Sequence, residues 1–288
     1  MAILVTGATG MFGSAVVNSL AELDVEVLAM TRSEESAKEL TKENITGVVG
    51  DLDNPESLKS VMKDAERMFL VSPMHASLGK REVAAINAAS HAELKQIVKL
   101  YGSVRHEGDQ LDTQHQLSLD ALQICNIPWT LVSPQTVMET NLLGQKEAIN
   151  TERCMYGAAG DGRIGMVALS DCIDVASVVL QSNPHDWKSK NLEITGPAAL
   201  TYKEIAAEMS RAFNQTISYK DMNEADFSSM LIDFGFPPED LELQLLCHFR
   251  QMRNGRASLV TETYHKVTGR KPTSIYDWTC QHKGLFNL

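Results

Sequence analysis

A glycine-rich stretch at the start of the chain constrains the fold more than any other feature. It reads Ala2-Ile-Leu-Val-Thr-Gly-Ala-Thr-Gly-Met-Phe-Gly13, with three residues from each glycine to the next. The apolar run before the glycines predicts a strand, and Val16, Val17 and Leu20 recur afterwards at the spacing of one helix face. In a strand–turn–helix unit of this kind, glycines let the backbone approach a pyrophosphate, which the helix N-terminus attracts. The stretch therefore predicts a dinucleotide site, and a glycine turn that only packs is the alternative. The residues expected to contact the cofactor here are Gly7, Thr9, Gly10, Met11, Phe12 and Gly13.

Apolar runs and amphipathic segments alternate along the rest of the first half. Further strands are predicted at 25–30, 47–52, 68–72, 96–101 and 129–133, with helices from Pro55, over 80–91 and around 113–125. This alternation predicts an α/β fold, a Rossmann-type doubly wound parallel sheet. Beyond residue 140 the spacing of the apolar residues changes. Strands are expected at 165–169 and 192–195. Helices are expected at 171–180, at 224–234 and from 238 to Asn254, and a further helix is expected to begin at a Thr201–Glu204 capping box. We therefore expect an NADP(H)-binding domain over about 1–150 and a smaller, mostly helical C-terminal substrate lobe over about 151–288, with the chain able to cross between them.

Composition excludes several classes of partner. The chain has 288 residues and a net charge of −11, without a basic stripe, which argues against nucleic acid as a partner. It shows no membrane-length apolar stretch and no export signal, so a cytoplasmic protein without a membrane partner is expected. Five cysteines lack any C-x-x-C pair and eight histidines lack close ligand spacing, so no metal is expected. The expected partners are a small-molecule substrate and a second copy of the chain in a homodimer.

The end of the second strand indicates which nicotinamide cofactor is used. NAD-preferring folds place an acidic residue there, whereas this strand runs into Thr31, Arg32 and Ser33. A guanidinium at this position suits a 2′-phosphate, so NADP(H) is predicted, and a solvated arginine near a helix start is the alternative. Ligands of open α/β sheets bind at the carboxyl ends of the strands. The residues expected there are Asp51, Leu52, Val71, Ser72 and Pro73. Asp51 has an alternative role as a cap of the helix that follows.

Several motifs together resemble the NmrA-like family of atypical short-chain dehydrogenases/reductases. They are Thr6-Gly-Ala-Thr-Gly-x-x-Gly13, Thr31-Arg32, Gly50-Asp-Leu52, Ile127-Pro-Trp-Thr-Leu-Val-Ser-Pro134, Leu192-Glu-Ile-Thr-Gly-Pro197 and Thr268-Gly-Arg-Lys-Pro272. The layout is most similar to that of bacterial NADPH-dependent quinone, azo-dye and triphenylmethane-dye reductases. The resemblance implies a Rossmann core, a small C-terminal lobe and a substrate cleft between them. Other members of the family keep the NADP(H) site but act as redox-sensing regulators.

The chain lacks the proton relay of ordinary short-chain dehydrogenases. None of its six tyrosines is followed four residues later by lysine, which disfavours sugar epimerases and ordinary alcohol dehydrogenases. His115, roughly where related reductases also place a histidine, is the candidate acid, and a packed core histidine is the alternative. Tyr101 and Ser103 are weaker candidates. Quinones and cationic dyes suit a site without an acid, because hydride transfer to them leaves a stabilised anion or a neutral product.

Together with the resemblance, these residues predict an NADPH-dependent reductase of a flat, electron-poor small molecule of the quinone, dye or enone type. The expected pocket wall consists of Met74, His75, Gln135, Met138, Met155 and Phe234, where the methionines are equally compatible with an ordinary core. The alternative function is a non-catalytic NADP(H) redox sensor that acts through a protein partner.

Overall fold

The computed structural model describes residues 1–104, 106 and 108–288. The strands are β1 Ala2–Val5, β2 Glu26–Thr31, β3 Ile45–Val49, β4 Arg67–Leu70, β5 Gln96–Leu100, β6 Trp129–Pro134, β7 Cys154–Gly157, β8 Lys190–Ile194 and β9 Ser218–Asp221. The helices are α1 Met11–Glu22, α2 Glu34–Leu40, α3 Pro55–Met62, α4 Leu78–His91, α5 Gln110–Ile124, α6 Lys146–Glu152, α7 Leu169–Gln181, α8 Tyr202–Phe213, α9 Glu224–Asp233, α10 Pro238–Leu241, α11 Cys247–Arg253, α12 Thr263–Thr268 and α13 Ile275–His282. Two π-helical segments, Glu139–Leu143 and Glu242–Leu246, and a 3-10 turn, Lys283–Leu285, complete the elements.

Seven strands form the main sheet in the order β3-β2-β1-β4-β5-β6-β8. The pairs from β3 through β6 are all parallel. The first six positions reproduce the 3-2-1-4-5-6 order of doubly wound dinucleotide-binding folds. The order reverses between β1 and β4, so the crevice outside the carboxyl ends of these two strands is where such folds bind ligands. The predicted Rossmann-type fold is confirmed.

Amphipathic helices cover the sheet because its strands are apolar towards both faces. Val16, Val17 and Leu20 of α1 are buried, as the helical spacing predicted. Helices α3, α4 and α5 pack side by side over a core that includes Leu58, Ile86 and Leu122. Ser19 of α1 lies 2.9 Å from Ser177 of α7, so these two helices are also neighbours.

The chain divides into two compact units. Unit 1 contains Met1–Tyr101, Gln110–Ser133 and Ile173–Leu192, and unit 2 contains Gly102–Asp109, Pro134–Cys172 and Glu193–Leu288. The chain thus crosses between the units several times, and the two contain nearly the same number of residues. Unit 2 has its own core, formed mainly by helices and by a two-stranded parallel sheet of β7 and β9. Its helix α8 begins with the predicted capping box: the Glu204 amide donates to Thr201 Oγ1 at 3.2 Å, and the Thr201 amide donates to Glu204 Oε2 at 2.8 Å.

The structure differs from the sequence-based expectations at several elements. The prediction of a strand at 165–169 is wrong. Residue 164 forms a single bridge with Leu200, and residue 167 forms a single bridge with Val137. Because these partners belong to different segments, no continuous ladder forms. The third strand ends at Val49 rather than at residue 52, because residues 51–54 form a turn in which the Asn54 amide donates to the Asp51 carbonyl. The short strands β7 and β9 were not predicted, since four-residue strands carry little periodic signal. No helix within the described part of the chain is both long and apolar enough to span a bilayer.

Candidate functional site

The glycine turn between β1 and α1 has a backbone that larger residues could not adopt without strain. Gly7 has a φ of +57°, in the left-handed region that favours glycine. A Cβ at Gly13 would lie 2.1 Å from the Gly7 carbonyl oxygen, so this glycine allows the helix to pack on the turn. A Cβ at Gly10 would meet only the Gly7 oxygen, at 3.3 Å, and otherwise open space. The structure therefore assigns Gly7 and Gly13 to the turn itself and leaves the surface at Gly10 open to a ligand.

Helix α1 offers its N-terminus as an anion site. Gly10 is its N-cap, no side chain caps the first turn, and that turn contains no acidic residue. The first amides of a helix and the positive end of its dipole attract anions such as phosphate. Met11, at this end, is partly exposed, whereas Gly13 is buried.

The hydroxyl of Thr6 joins the two strands at the switch point. Thr6 Oγ1 donates to the Val71 carbonyl oxygen at 2.7 Å and accepts from the Val71 amide at 2.8 Å. The Thr6 side chain is fully buried, so these bonds fasten the carboxyl end of β1 to that of β4. Thr6 was not among the predicted site residues. Its position directly before the first glycine is the signal that could have done so.

The carboxyl end of β4 presents an unsatisfied hydroxyl. Ser72 Oγ is buried and has no hydrogen-bond partner among the residues that the structure describes. Buried polar groups are normally paired, so this hydroxyl is available to a water molecule or to a ligand. Val71 is half-buried and Pro73 is exposed. Of the predicted residues on this strand end, Ser72 therefore carries the strongest structural evidence.

Arg32 occupies the end of β2, as predicted, and is exposed. The next residue, Ser33, is the N-cap of α2 and accepts from the Ser36 amide at 3.2 Å. The Arg32 guanidinium has no hydrogen-bond or ion-pair partner within the described residues. It is thus available to an anionic ligand at the carboxyl edge of the sheet.

Asp51 has a structural role in the turn after β3. Its Oδ1 accepts from the Asp53 amide at 3.0 Å, and its own amide donates to Ser57 Oγ at 2.9 Å. Leu52 beside it is buried. Asp53 binds Arg81 of α4 through both carboxylate oxygens, and these hydrogen bonds hold the pKa of Asp53 below its ordinary value. These hydrogen bonds fix the turn in the free protein.

The predicted acid, His115, lies on α5 and packs against Tyr101. Their ring centroids are 4.6 Å apart in an edge-to-face arrangement, and His115 is half-buried. Next to them, Lys99 Nζ lies 5.2 Å from the centre of the Tyr101 ring and pairs with Glu82 Oε1 at 2.9 Å. Both charged side chains are almost completely buried. This ion pair was not predicted, although a lysine inside the apolar run of β5 indicates that a buried partner of opposite charge is needed.

The six predicted pocket residues divide between the two units. In unit 1, Met74 and His75 are exposed. In unit 2, Met138 and Met155 are wholly buried core residues, and Phe234 is 75% exposed. Gln135 is buried, its Oε1 accepts from the Thr136 amide at 3.3 Å, and its Nε2 has no partner among the described residues.

The glycine-turn region matches the NmrA-like family over residues 1–123. An NAD(P)H azoreductase of Xenophilus azovorans is 27% identical over 286 residues, 99% of each chain. A (4-alkanoyl-5-oxo-2,5-dihydrofuran-3-yl)methyl phosphate reductase of Streptomyces griseus is 28% identical over 288 residues, again 99% of each chain. The crystal structure of the NADPH-dependent quinone oxidoreductase QOR2 from Escherichia coli, complexed with NADPH, superposes with a TM-score of 0.87 at 25% identity and covers 100% of both chains. The expected family resemblance is confirmed: the residues that form the glycine turn and the first five strands match the NmrA-like family model, and the similarity to these reductases extends over the whole length of the chain.

Proposed function

We propose that this chain is an NADPH-dependent reductase of flat, electron-poor small molecules. The observation that carries the proposal is the carboxyl edge of unit 1, where the open glycine turn with the uncapped N-terminus of α1 forms one site for phosphate and the exposed Arg32 forms a second. A dinucleotide with a 2′-phosphate has a pyrophosphate for the first site and the 2′-phosphate for the second. The orphan hydroxyl of Ser72 supplies a further polar contact. The residues present therefore fit NADPH.

Each of these residues has a defined task in that proposal. The Gly7–Gly13 turn and the first amides of α1 hold the pyrophosphate, and Arg32 holds the 2′-phosphate. Ser72 is expected to bond to the cofactor at the end of β4, and Asp51, Leu52, Val71 and Pro73 to line it. When bound, NADPH supplies a hydride, and the acceptor takes up that hydride and one proton from water. The contribution of the protein is to orient the two reactants, which can lower a barrier by about 7–11 kcal/mol.

The relatives support the class of acceptor. Their names specify a quinone, an azo compound and a 5-oxo-2,5-dihydrofuran, in which the ring double bond is conjugated with the carbonyl. All three are unsaturated groups of low electron density that accept hydride. We assign acceptor binding to unit 2, where the unpaired Nε2 of buried Gln135 is a donor for a carbonyl oxygen.

Five free cysteines support a reducing compartment such as the cytoplasm, and we propose a homodimer there.

The experiment is a turnover assay in which NADPH absorbance is followed with a panel of quinones, azo dyes and enones. We expect turnover well above background with at least one class. Gly10→Val serves as the matched control, because it fills the open side of the turn, where a Cβ otherwise meets only the Gly7 oxygen. It should abolish NADPH binding, measured by calorimetry, while the circular dichroism spectrum stays that of the wild type. Tight NADPH binding without turnover on any acceptor would instead support the redox-sensor function. Unchanged NADPH affinity in Gly10→Val would contradict the proposed cofactor site.

A further inference from the structure

Two histidines and a cysteine from distant parts of the sequence meet inside unit 2. His106 lies in the segment between β5 and α5, and Cys247 and His248 are the first residues of α11. One potential ligand atom of each lies within 4.8 Å of the others. The rings of His106 and His248 are edge to face, with their centroids 4.6 Å apart. His106 and Cys247 are buried, and the half-buried His248 is the most exposed member of the cluster.

The hydrogen bonding of His106 prepares one ring nitrogen for a metal. His106 Nδ1 lies 2.8 Å from Asp109 Oδ2. When Nδ1 donates its N–H to this carboxylate, a neutral imidazole presents the lone pair of Nε2 on the other side of the ring. Histidines that bind metals commonly donate their other N–H to a carboxylate in this way, which orients the ring.

The backbone of the cluster is also unusual. The π-helical segment Glu242–Leu246 directly precedes Cys247 and widens the helical turn there. π-helical turns in α-helices are rare and frequently mark functional sites. The Cys247 thiol donates to the Leu243 carbonyl oxygen at 3.3 Å, a weak bond that metal coordination would replace.

We propose that His106, Cys247 and His248 form a binding site for Zn²⁺. Two imidazole nitrogens and one sulfur are ligands that zinc prefers, and three protein ligands leave the fourth tetrahedral position to water. Binding forms two Zn–N bonds and one Zn–S bond, and the Cys247 thiol releases its proton to solvent. The ion would tie His106 to the start of α11. The argument for this site does not rest on the proposed reductase activity.

The test uses the full chain after removal of metal with a chelator. Titration with Co²⁺ should give the visible bands of a tetrahedral ion and a thiolate-to-cobalt charge-transfer band, and Zn²⁺ should abolish both at one equivalent. Calorimetry with Zn²⁺ should show a single site with a dissociation constant below about 1 µM, and saturation should raise the melting temperature by about 5 °C. Absence of the charge-transfer band in the wild type would overturn the proposal without recourse to any variant.

Variants then locate the site. Cys247→Ser should remove the charge-transfer band, and His106→Ala and His248→Ala should each weaken Zn²⁺ binding by at least 100-fold. Cys172→Ser is the matched control, since Cys172 is also buried in a helix and its thiol likewise donates to the carbonyl four residues earlier, at 3.4 Å. It should leave both the band and the affinity unchanged. A charge-transfer band that persists in Cys247→Ser, or that disappears in Cys172→Ser, would contradict the assignment.

Discussion

Arg32 and Ser72, single residues at the ends of two strands, are the side chains on which the proposed cofactor site most depends. Arg32 is exposed with no partner among the described residues, and Ser72 has a buried hydroxyl that no described group satisfies. Neither arrangement contributes to the stability of the free protein, because one group is solvated and the other lacks a bond. Each of the two side chains stabilises the protein only when a bound ligand supplies an oxygen atom for it to bind.

Replacement of Arg32 by alanine should therefore change cofactor choice and leave stability unchanged. We expect Arg32→Ala to weaken NADPH binding by about 2 kcal/mol, the range for one lost hydrogen bond to a charged group, and to leave NADH nearly unaffected. Calorimetry with both cofactors measures the difference. Arg211→Ala, which removes an exposed arginine of α8, is the control and should alter neither affinity. Equal weakening of NADPH and NADH would show that Arg32 has a structural role only.

His115 allows a test for an obligatory acid. If orientation alone drives the reaction, His115→Ala should lower kcat for a quinone by less than about 10-fold, because a general acid contributes about 10²–10⁴-fold. For a simple carbonyl, whose alkoxide must be protonated as it forms, the same variant should lose the full amount. A defect caused only by lost packing against Tyr101 would affect both substrates alike. A loss above about 100-fold on the quinone, with NADPH affinity intact, would refute the acid-free mechanism.

At the scale of elements, α4 and β5 are joined by the buried ion pair between Glu82 and Lys99. Two charges removed from water are tolerated only when each satisfies the other. The pair also places the ammonium of Lys99 beside the Tyr101 ring, at the end of β5. If Tyr101 belongs to the site, as the sequence predicted, the pair acts on the site only through the position of Tyr101.

Neutralising one partner of this ion pair should lower the stability of the protein much more than replacing both partners. Glu82→Gln leaves a buried ammonium without its counter-charge and should lower the free energy of unfolding by about 3–5 kcal/mol. The double variant Glu82→Gln with Lys99→Met should recover most of that loss, and urea denaturation measures both. Lys95→Ala, which removes a partner of Glu66 from an exposed pair, should have a far smaller effect. Equal losses in the single and double variants would contradict a role for the unpaired charge.

For the whole molecule, cofactor binding should appear as thermal stabilisation. A ligand present at 100 times its dissociation constant stabilises the folded state by about 2.7 kcal/mol, which corresponds to a rise of about 5 °C in melting temperature. We expect this rise with NADPH, a smaller one with NADH at the same concentration, and none with NADPH in Gly10→Val. Scanning fluorimetry measures all three. An equal rise with both cofactors would contradict NADPH selectivity.

Local pattern was sufficient for much of this protein. The glycine spacing predicted the turn at Gly7–Gly13, the capping box predicted the start of α8, and Arg32 was correctly placed at the end of β2. These features depend on backbone geometry and on hydrogen bonds between residues a few positions apart, so the local sequence is enough to predict them. The roles predicted for the site residues in binding and catalysis stay predictions.

Tertiary structure alone decided the rest. Residues 165–169 have the composition of a strand but form only bridges, and the four-residue strands β7 and β9 became a sheet because the folded chain set them side by side. Glu82 and Lys99 form an ion pair only because α4 packs beside β5, and His106 meets Cys247 and His248 across 140 residues of chain. Sequence determined the periodic elements and the glycine turn, since these follow from local backbone chemistry. The packing of the elements decided which distant side chains are in contact, because the neighbours of a buried residue come from several elements of the fold.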